Sequence, residues 1–500
     1  MSSKLNILFG GAAGTGPNIL TNILGEALIE LGYYVFYSRD YQSVIRGGHN
    51  FNVLSFSDEP INSNESLMDV LVCFDEKTKE IHKKVLKKSG VVLEGNHPNM
   101  YFAGRIFKIL GLDFKVLDEL LKKLKKGYDE NIKEAKEGYN NEKSRISIPK
   151  SSNARNIFIN GTQGISEGAI KSGLDFYYAY PMTPATGVLI ELAQATLNPK
   201  NKHLTIELEN EIAVVNAGIG SAITGARAMV GTSGGGFDLM TEGLSLTGIA
   251  EVPLVFYLSM RPGPATGVAT YTGQGDLKMA LNAGHGEFER VVFAAGDPVE
   301  CEELTNQAFY FSHKYKIPSI VLSDKHLGES FYSLNSKAKI IDIKSNTKLE
   351  RYNSYEKDKF GSATEDAEII KENIIKRMKK HEEIKKDSEK FERYKIFGKQ
   401  NSKNVVVSWG SPKGAILDAI KNLDCRFIQI IYLSPFPKDV LKLLENKNVI
   451  LVENNSSASL GSLIKSQTGV IIDDKNNILR FDGRPFLCDE LNNEIKKRLR

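Results

Sequence analysis

Again and again along this 500-residue chain, a short apolar run gives way to a glycine- or proline-rich turn and then to a helical spacing of apolar residues. This rhythm constrains the fold more than any other feature. Strands that alternate with helices imply a parallel sheet covered on both faces, so the chain reads as α/β. Residues 1–150 open on it. Leu5 to Phe9 reads as a strand and Gly10-Gly11-Ala12-Ala13-Gly14-Thr15-Gly16 as a turn. Pro17 then opens a helix carrying Ile19, Leu20, Ile23, Leu24, Leu28 and Ile29. Tyr33 to Tyr37 resumes a strand, and Asp69–Phe74, a charged helix from Glu76 to Lys88, and Gly90–Leu93 repeat the unit.

Residues 151–330 form a second such unit, rich in Gly, Ala and Thr. Strands are predicted at 175–179, 203–207, 228–232, 253–258, 290–295 and 319–322, with helices starting near Thr186, Glu211, Asp238 and Pro298. Residues 331–400 turn polar and read as a charged linker with one surface helix from Glu365 to Lys380. Residues 401–500 return to the strand–helix alternation, and the length calls for three or so domains.

A net charge of +4 is small for this length, and the Lys and Arg are interspersed with Asp and Glu, which argues against a nucleic-acid partner. The absence of an eighteen-residue apolar run or a leader pattern predicts a cytoplasmic protein with no membrane partner. Cysteines at 73, 301, 425 and 488 never form a Cys-x-x-Cys pair, which argues against a local zinc or iron–sulfur cradle. Cys73 lies in the apolar run Val70 to Phe74 and reads as a buried thiol.

The chemistry-bearing segments follow strand ends. Thr183 sits in Tyr180-Pro181-Met182-Thr183-Pro184, between prolines that restrict its backbone. Its hydroxyl either satisfies its own turn or meets a ligand beyond the carboxyl end of a strand. Glu207, Glu209 and Glu211 crowd like charges together, which is unfavourable unless one is paired, protonated or exposed. Glu211 opens a helix of Ala213, Ala217, Gly218, Gly220, Ala222, Gly225 and Ala226, small enough for close packing. Its carboxylate either stabilises the helix dipole or trades a proton with a cofactor nitrogen. Arg261 stands between a buried strand and Pro262, suited to a bidentate grip on a substrate carboxylate or to a structural ion pair. Gly11, Gly14, Thr15 and Gly16 make either a loop for the anionic group of a nucleotide or coenzyme or a plain tight turn, and Arg46 could meet an anion or another subunit.

Taken together these segments resemble the fused gamma–alpha subunit of 2-oxoacid:ferredoxin oxidoreductases. The likeness rests on Tyr180–Pro184, Glu209-Asn210-Glu211, Thr232-Ser233-Gly234, Arg261-Pro262-Gly263-Pro264-Ala265-Thr266-Gly267, Gln274-Gly275-Asp276-Leu277 and Val452-Glu453-Asn454-Asn455. Arg46-Gly47-Gly48 and Ser57-Asp58-Glu59-Pro60-Ile61 fit the gamma part. Departures are Met182, where Ile is usual, and Ala185-Thr186, where Ser-Ser is common.

The resemblance implies three domains. Residues 1–150 would be the coenzyme A-associated gamma domain, 151–330 a pyrimidine-binding thiamine-diphosphate domain, and 401–500 a transketolase C-terminal-like domain. It implies oxidative decarboxylation of a 2-oxo acid, 2-oxoglutarate or a similar one, with coenzyme A, giving acyl-CoA, carbon dioxide and reduced ferredoxin. Glu211 would bond the aminopyrimidine of thiamine diphosphate, with Tyr180, Pro181 and Thr183 beside the cofactor, and Thr183 and Arg261 would hold the 2-oxo acid. The chain lacks the Gly-Asp-Gly that thiamine enzymes use for magnesium and diphosphate. A beta subunit is therefore expected to supply those sites and the [4Fe-4S] centre. The competing expectations are a nicotinamide-dependent dehydrogenase, suggested only by the first glycine loop, and a non-catalytic assembly subunit.

Overall fold

The computed structural model describes residues 4–42, 48–124, 127–148, 157–344 and 351–500. They form two compact units, Met1–Ile159 with Ser330–Ser336 and Leu487–Leu491, and Asn160–Glu329 with Lys337–Phe486 and Asn492–Arg500.

The first unit is built on a sheet that has seven strands among the described residues and is mixed, not parallel. Leu5–Ala12 runs parallel to Met68–Cys73 but antiparallel to His49–Ser57, which is itself antiparallel to Tyr34–Asp40. The segment between Asp40 and His49 is too short for the crossover a parallel pair needs. His49–Ser57 is hidden from an apolar pattern by Asn50, Asn52, Ser55 and Ser57. Three of these are buried and each is bonded: Asn52 Nδ2 donates to Asn18 Oδ1 at 2.9 Å, Ser55 Oγ to Asn6 Oδ1 at 2.6 Å, and Ser57 Oγ to Asp58 Oδ1 at 3.3 Å.

Helix Pro17–Glu30 buries Leu20, Ile23, Leu24 and Leu28, whereas Ile19 is exposed. The charged helix stops early, at His82, because the chain turns through Lys83–Val85 into the strand Leu86–Leu93. Gly10 and Gly11 belong to the first strand, not to the turn after it. A side chain is excluded there, since a Cβ on Gly10 would lie 2.6 Å from Thr78 Cγ2. Cys73 is buried, which pushes its thiol up to about 12.

The second unit contains two sheets. In the larger, Ala228–Thr232 and Leu254–Met260 lie side by side at the centre. Phe176–Ala179 and Leu204–Glu207 flank them on one side, with Pro318–Asp324 and Val291–Ala294 on the other, all parallel. Every residue of Leu254–Met260 is buried, as a parallel strand covered on both faces requires. Gly218 brings the helix Glu211–Ile223 close to this sheet, since a Cβ there would stand 2.7 Å from Val230 Cγ1. Tyr432–Ser434, from much later in the chain, closes the far edge by pairing antiparallel with Val291–Ala294.

The smaller sheet has Asn404–Ser408 parallel to both Arg426–Ile430 and Asn448–Glu453, with Tyr394–Gly398 antiparallel at one edge. Within 331–400, Phe331–Leu334 is a strand of the first unit's sheet, and in the second unit the helix Ala367–Ser388 precedes the strand Tyr394–Gly398. That helix is anchored by Lys314, Lys390, Tyr310 and Tyr315, which converge on its buried Asp387. Buried Glu300 joins the two sheets of this unit. It accepts from Lys413 Nζ at 2.6 Å, Lys395 Nζ at 3.0 Å and Gln429 Nε2 at 2.6 Å, and the two ammonium groups hold its carboxyl well below the usual range despite burial. No helix among the described residues is long and apolar enough to cross a membrane.

Candidate active site

Because Phe176–Ala179, Ala228–Thr232 and Leu254–Met260 are neighbouring parallel strands, their carboxyl ends deliver three separate turns to one place. This is the edge at which open α/β sheets present ligand-binding groups. The first turn carries Tyr180, which is 40% exposed, then the half-buried Pro181, Met182 and Thr183. The second carries Thr232 and Ser233, both buried, and the third carries Arg261.

Arg261 and Thr183 meet, as the site reading requires, but through the backbone. Arg261 Nη1 donates to the Thr183 carbonyl oxygen at 2.6 Å. Arg261 is only 9% exposed, and among the described residues no carboxylate forms an ion pair with it. The structural ion pair left open by sequence is therefore not what holds it. Burial pulls its pKa down, and the charges of Asp276 and Glu211 act against that pull. A second link between the turns is the contact of Thr232 Oγ1 with Met182 Sδ at 3.9 Å.

The crowding of glutamates resolves by location. Glu207 and Glu209 are exposed, whereas Glu211 is 3% exposed. Glu211 is not needed to cap its helix, because the Asn210 side chain accepts from Ala213 N at 2.9 Å. Its carboxyl turns inward to Gly236, where an added Cβ would collide with both Glu211 Oε1 and Thr232 Oγ1. Glu211 Oε1 is buried and makes no hydrogen bond. A buried oxygen without a partner costs free energy, so this one is set for a donor from a ligand. That fits a group such as the aminopyrimidine of thiamine diphosphate.

Asp276 is a residue that the sequence reading left out of the site. It stands at the N-terminus of the short helix Leu277–Asn282 without capping it. Its Oδ2 is buried and unbonded, and a Cβ on Gly234 would stand 2.7 Å from it. The run Gly234-Gly235-Gly236 thus leaves room for two carboxyl groups, Asp276 at one end and Glu211 at the other. Burial, with help from Asp238 and against Arg261, raises Asp276 to about 6. The signal available in the sequence was the small-residue run itself, which offered two places without side chains. Ser233 Oγ, between these groups in sequence, is also buried and unbonded.

The loop before Asp276 is braced by the Asn-Asn segment near the C-terminus. Gln274 N donates to the Asn454 carbonyl and Asn454 N to Gln274 Oε1, both at 2.8 Å. Gln274 Nε2 reaches the Trp409 carbonyl at 2.9 Å. Behind them Glu453, fully buried, accepts from Trp409 Nε1, Asn455 Nδ2 and the backbone N–H groups of Leu460 and Gly461.

In the first unit, Gly14 and Thr15 lie on the loop after Leu5–Ala12, and Gly16 precedes the helix with φ of 92°. Thr15 Oγ1 donates to the Ala12 carbonyl at 2.8 Å, which fulfils the tight-turn role. Gly11 is in the strand, where a Cβ would stand 2.8 Å from Phe74 Cβ. A Cβ on Gly16 would strike the Asn99 amide. Arg46 lies outside the described residues.

A family model described as pyruvate flavodoxin/ferredoxin oxidoreductase, thiamine diphosphate-binding, matches residues 167–399. A second, pyruvate ferredoxin/flavodoxin oxidoreductase, matches residues 6–98. The chain is 32% identical to a 2-oxoacid:ferredoxin oxidoreductase subunit alpha from Sulfolobus, over 99% of this chain and 97% of the relative. It is 30% identical to the 2-oxoglutarate synthase subunit KorA of Methanocaldococcus jannaschii, over 60% of this chain and 88% of that one. In fold it is similar to the 2-oxoglutarate:ferredoxin oxidoreductase of Magnetococcus marinus, solved with 2-oxoglutarate, coenzyme A and succinyl-CoA bound. The TM-score is 0.89 at 22% identity, over the whole of both chains.

Proposed function

The chain belongs to the 2-oxoacid:ferredoxin oxidoreductase family as an alpha subunit, and from that premise we propose how its own residues serve the reaction. It contributes one half of a shared site in which a 2-oxo acid, 2-oxoglutarate or a close analogue, is oxidatively decarboxylated with coenzyme A. The names of the relatives favour this over a nicotinamide-dependent dehydrogenase.

The observation that carries the site assignment is the state of Arg261: buried, and in ion-pair contact with no carboxylate among the described residues. An interior guanidinium without a contacting carboxylate is costly, and an incoming one reduces that cost. Its Nη1 is fixed on the Thr183 carbonyl, which orients the rest of the guanidinium for a ligand. Thr183 then positions Arg261 through its backbone, with its hydroxyl left for the substrate or cofactor edge. Glu211 Oε1 accepts from the aminopyrimidine and holds or passes a proton there, and Tyr180 and Pro181 line the approach. When bound, thiamine diphosphate supplies the carbanion chemistry of decarboxylation.

We place magnesium, the diphosphate contacts and the [4Fe-4S] centre on a beta subunit, because this chain has no Gly-Asp-Gly and no Cys-x-x-Cys. Ferredoxin takes the electrons through that partner. Residues 1–150 serve as the gamma domain, where Gly14, Thr15 and Gly16, with the strand residue Gly11, form the coenzyme A loop. The pyrimidine-type domain spans 151–330 and the transketolase C-terminal-like domain 401–500.

The test is Arg261→Ala in the complex assembled with the beta subunit. Turnover of the 2-oxo acid should fall at least about a hundredfold with thiamine diphosphate still bound, since a charge-assisted bidentate contact is lost. Unchanged turnover would remove Arg261 from the site.

A further inference from the structure

We propose that Asp276 is a positioning residue that acts through Arg261, its carboxyl group setting how tightly the guanidinium grips the substrate carboxylate. The proposal rests on Arg261 being the substrate clamp. Each of the two charges is felt by the other, yet they are not in ion-pair contact. This is an arrangement in which a carboxylate weakens a guanidinium without occupying its donors.

Space is kept for that carboxyl. A Cβ on Gly234 would stand 2.7 Å from Asp276 Oδ2, and this oxygen is buried and unbonded. Asp276 does not cap the helix it begins, so local structure does not account for its side chain. Its loop is held by the Gln274–Asn454 pair and lies against the Arg261 turn, since a Cβ on Gly273 would stand 3.3 Å from Pro262 N and 3.6 Å from the carbonyl carbon of Arg261.

The chemical consequence follows from charge. A 2-oxo acid arrives as an anion and leaves its carboxylate as neutral carbon dioxide. A guanidinium of full strength holds the anionic ground state and resists that loss of charge. An ionised Asp276 offsets part of the attraction, so it weakens substrate binding and favours the decarboxylated state. The charges that act on Asp276 are Asp238, from the helix Gly234–Leu239, which favours its neutral form, and Arg261, which favours its ionised form. Burial adds to the first, so Asp276 changes charge near about 6. The 2-oxo acid stays ionised through this range.

The experiment measures KM and kcat of the assembled complex on 2-oxoglutarate from about pH 5.5 to about 8, for the native chain, Asp276→Asn, Asp276→Glu and Arg261→Ala. The native KM should rise with pH as Asp276 ionises. Asp276→Asn should show a KM about fivefold lower at the upper end, without that rise, and a reduced kcat. Asp276→Glu should restore the pH dependence. If Asp276→Asn leaves KM, kcat and the profile unchanged while Arg261→Ala raises KM, the proposal fails and the clamp stands. If Arg261→Ala leaves KM unchanged, the clamp reading itself fails. Should the Asn variant not assemble, a native KM that is flat across the range overturns the proposal by itself.

Discussion

Arg261 Nη1 lies 2.6 Å from the carbonyl oxygen of Thr183, so the guanidinium and the proline-bracketed turn are one mechanical piece. Residues separated widely in sequence are joined because their strands are separated by only one other in the sheet. A change in either turn is transmitted to the other.

Glu211→Gln removes the ionisable group and keeps the shape. Turnover of the assembled complex should fall by about two to four orders of magnitude, the usual size of a lost acid–base contribution. Thermal unfolding should be little changed, because Glu211 Oε1 makes no bond within the chain. Steady-state kinetics alongside calorimetry checks both.

Glycine-to-alanine changes should have opposite signs at two sites. Gly236→Ala places a Cβ against Glu211 and Thr232 and should destabilise by about 1–3 kcal/mol with loss of activity. Gly220→Ala, on the helix Glu211–Ile223, meets nothing within 4 Å and should stabilise by about 0.5–1 kcal/mol. Paired denaturation curves decide.

Much of the second unit was legible because its central strands are uniformly apolar and its helices begin at strong signals, Asn210 before Glu211 and Asp297 before Pro298. The first sheet was harder. His49–Ser57 carries buried Asn52 and Ser55, and only their partners Asn18 and Asn6, distant in sequence, make that burial affordable. Likewise Thr183, Glu211 and Arg261 announced themselves by neighbouring prolines or charge. Asp276 did not, because its role depends on the empty space at Gly234.

Glu453→Ala should be severe. It strands the Trp409 indole N–H, the Asn455 amide and two backbone N–H groups in a buried place. A cost of about 3–5 kcal/mol is expected, since several buried donors lose their acceptor at about 1–3 kcal/mol each. Trp409 is the sole tryptophan of the chain, so its fluorescence reports the change directly.

Acid should loosen the helix Ala367–Ser388 early. Although burial works the other way, bonds from Lys314, Lys390, Tyr310 and Tyr315 hold Asp387 down to about 2, and Lys380, Lys376 and Lys357 hold Glu251 at about 2. Both folded values lie below the ordinary carboxylate range. Their contribution is therefore present above about pH 4.5 and is lost as pH falls toward about 2. Hydrogen-exchange protection across 367–388, taken relative to the intrinsic exchange rate at each pH, should fall in that window before it does in the central strand 254–260.

Tyr432–Ser434 completes the rim of a sheet whose other strands were made much earlier in the chain. A gene broken near residue 400 would yield one product with a naked β edge at Val291–Ala294 and another with a stray strand seeking it. The two pieces would have to be made together and find each other at once, so covalent continuity here works as a safeguard against misassembly.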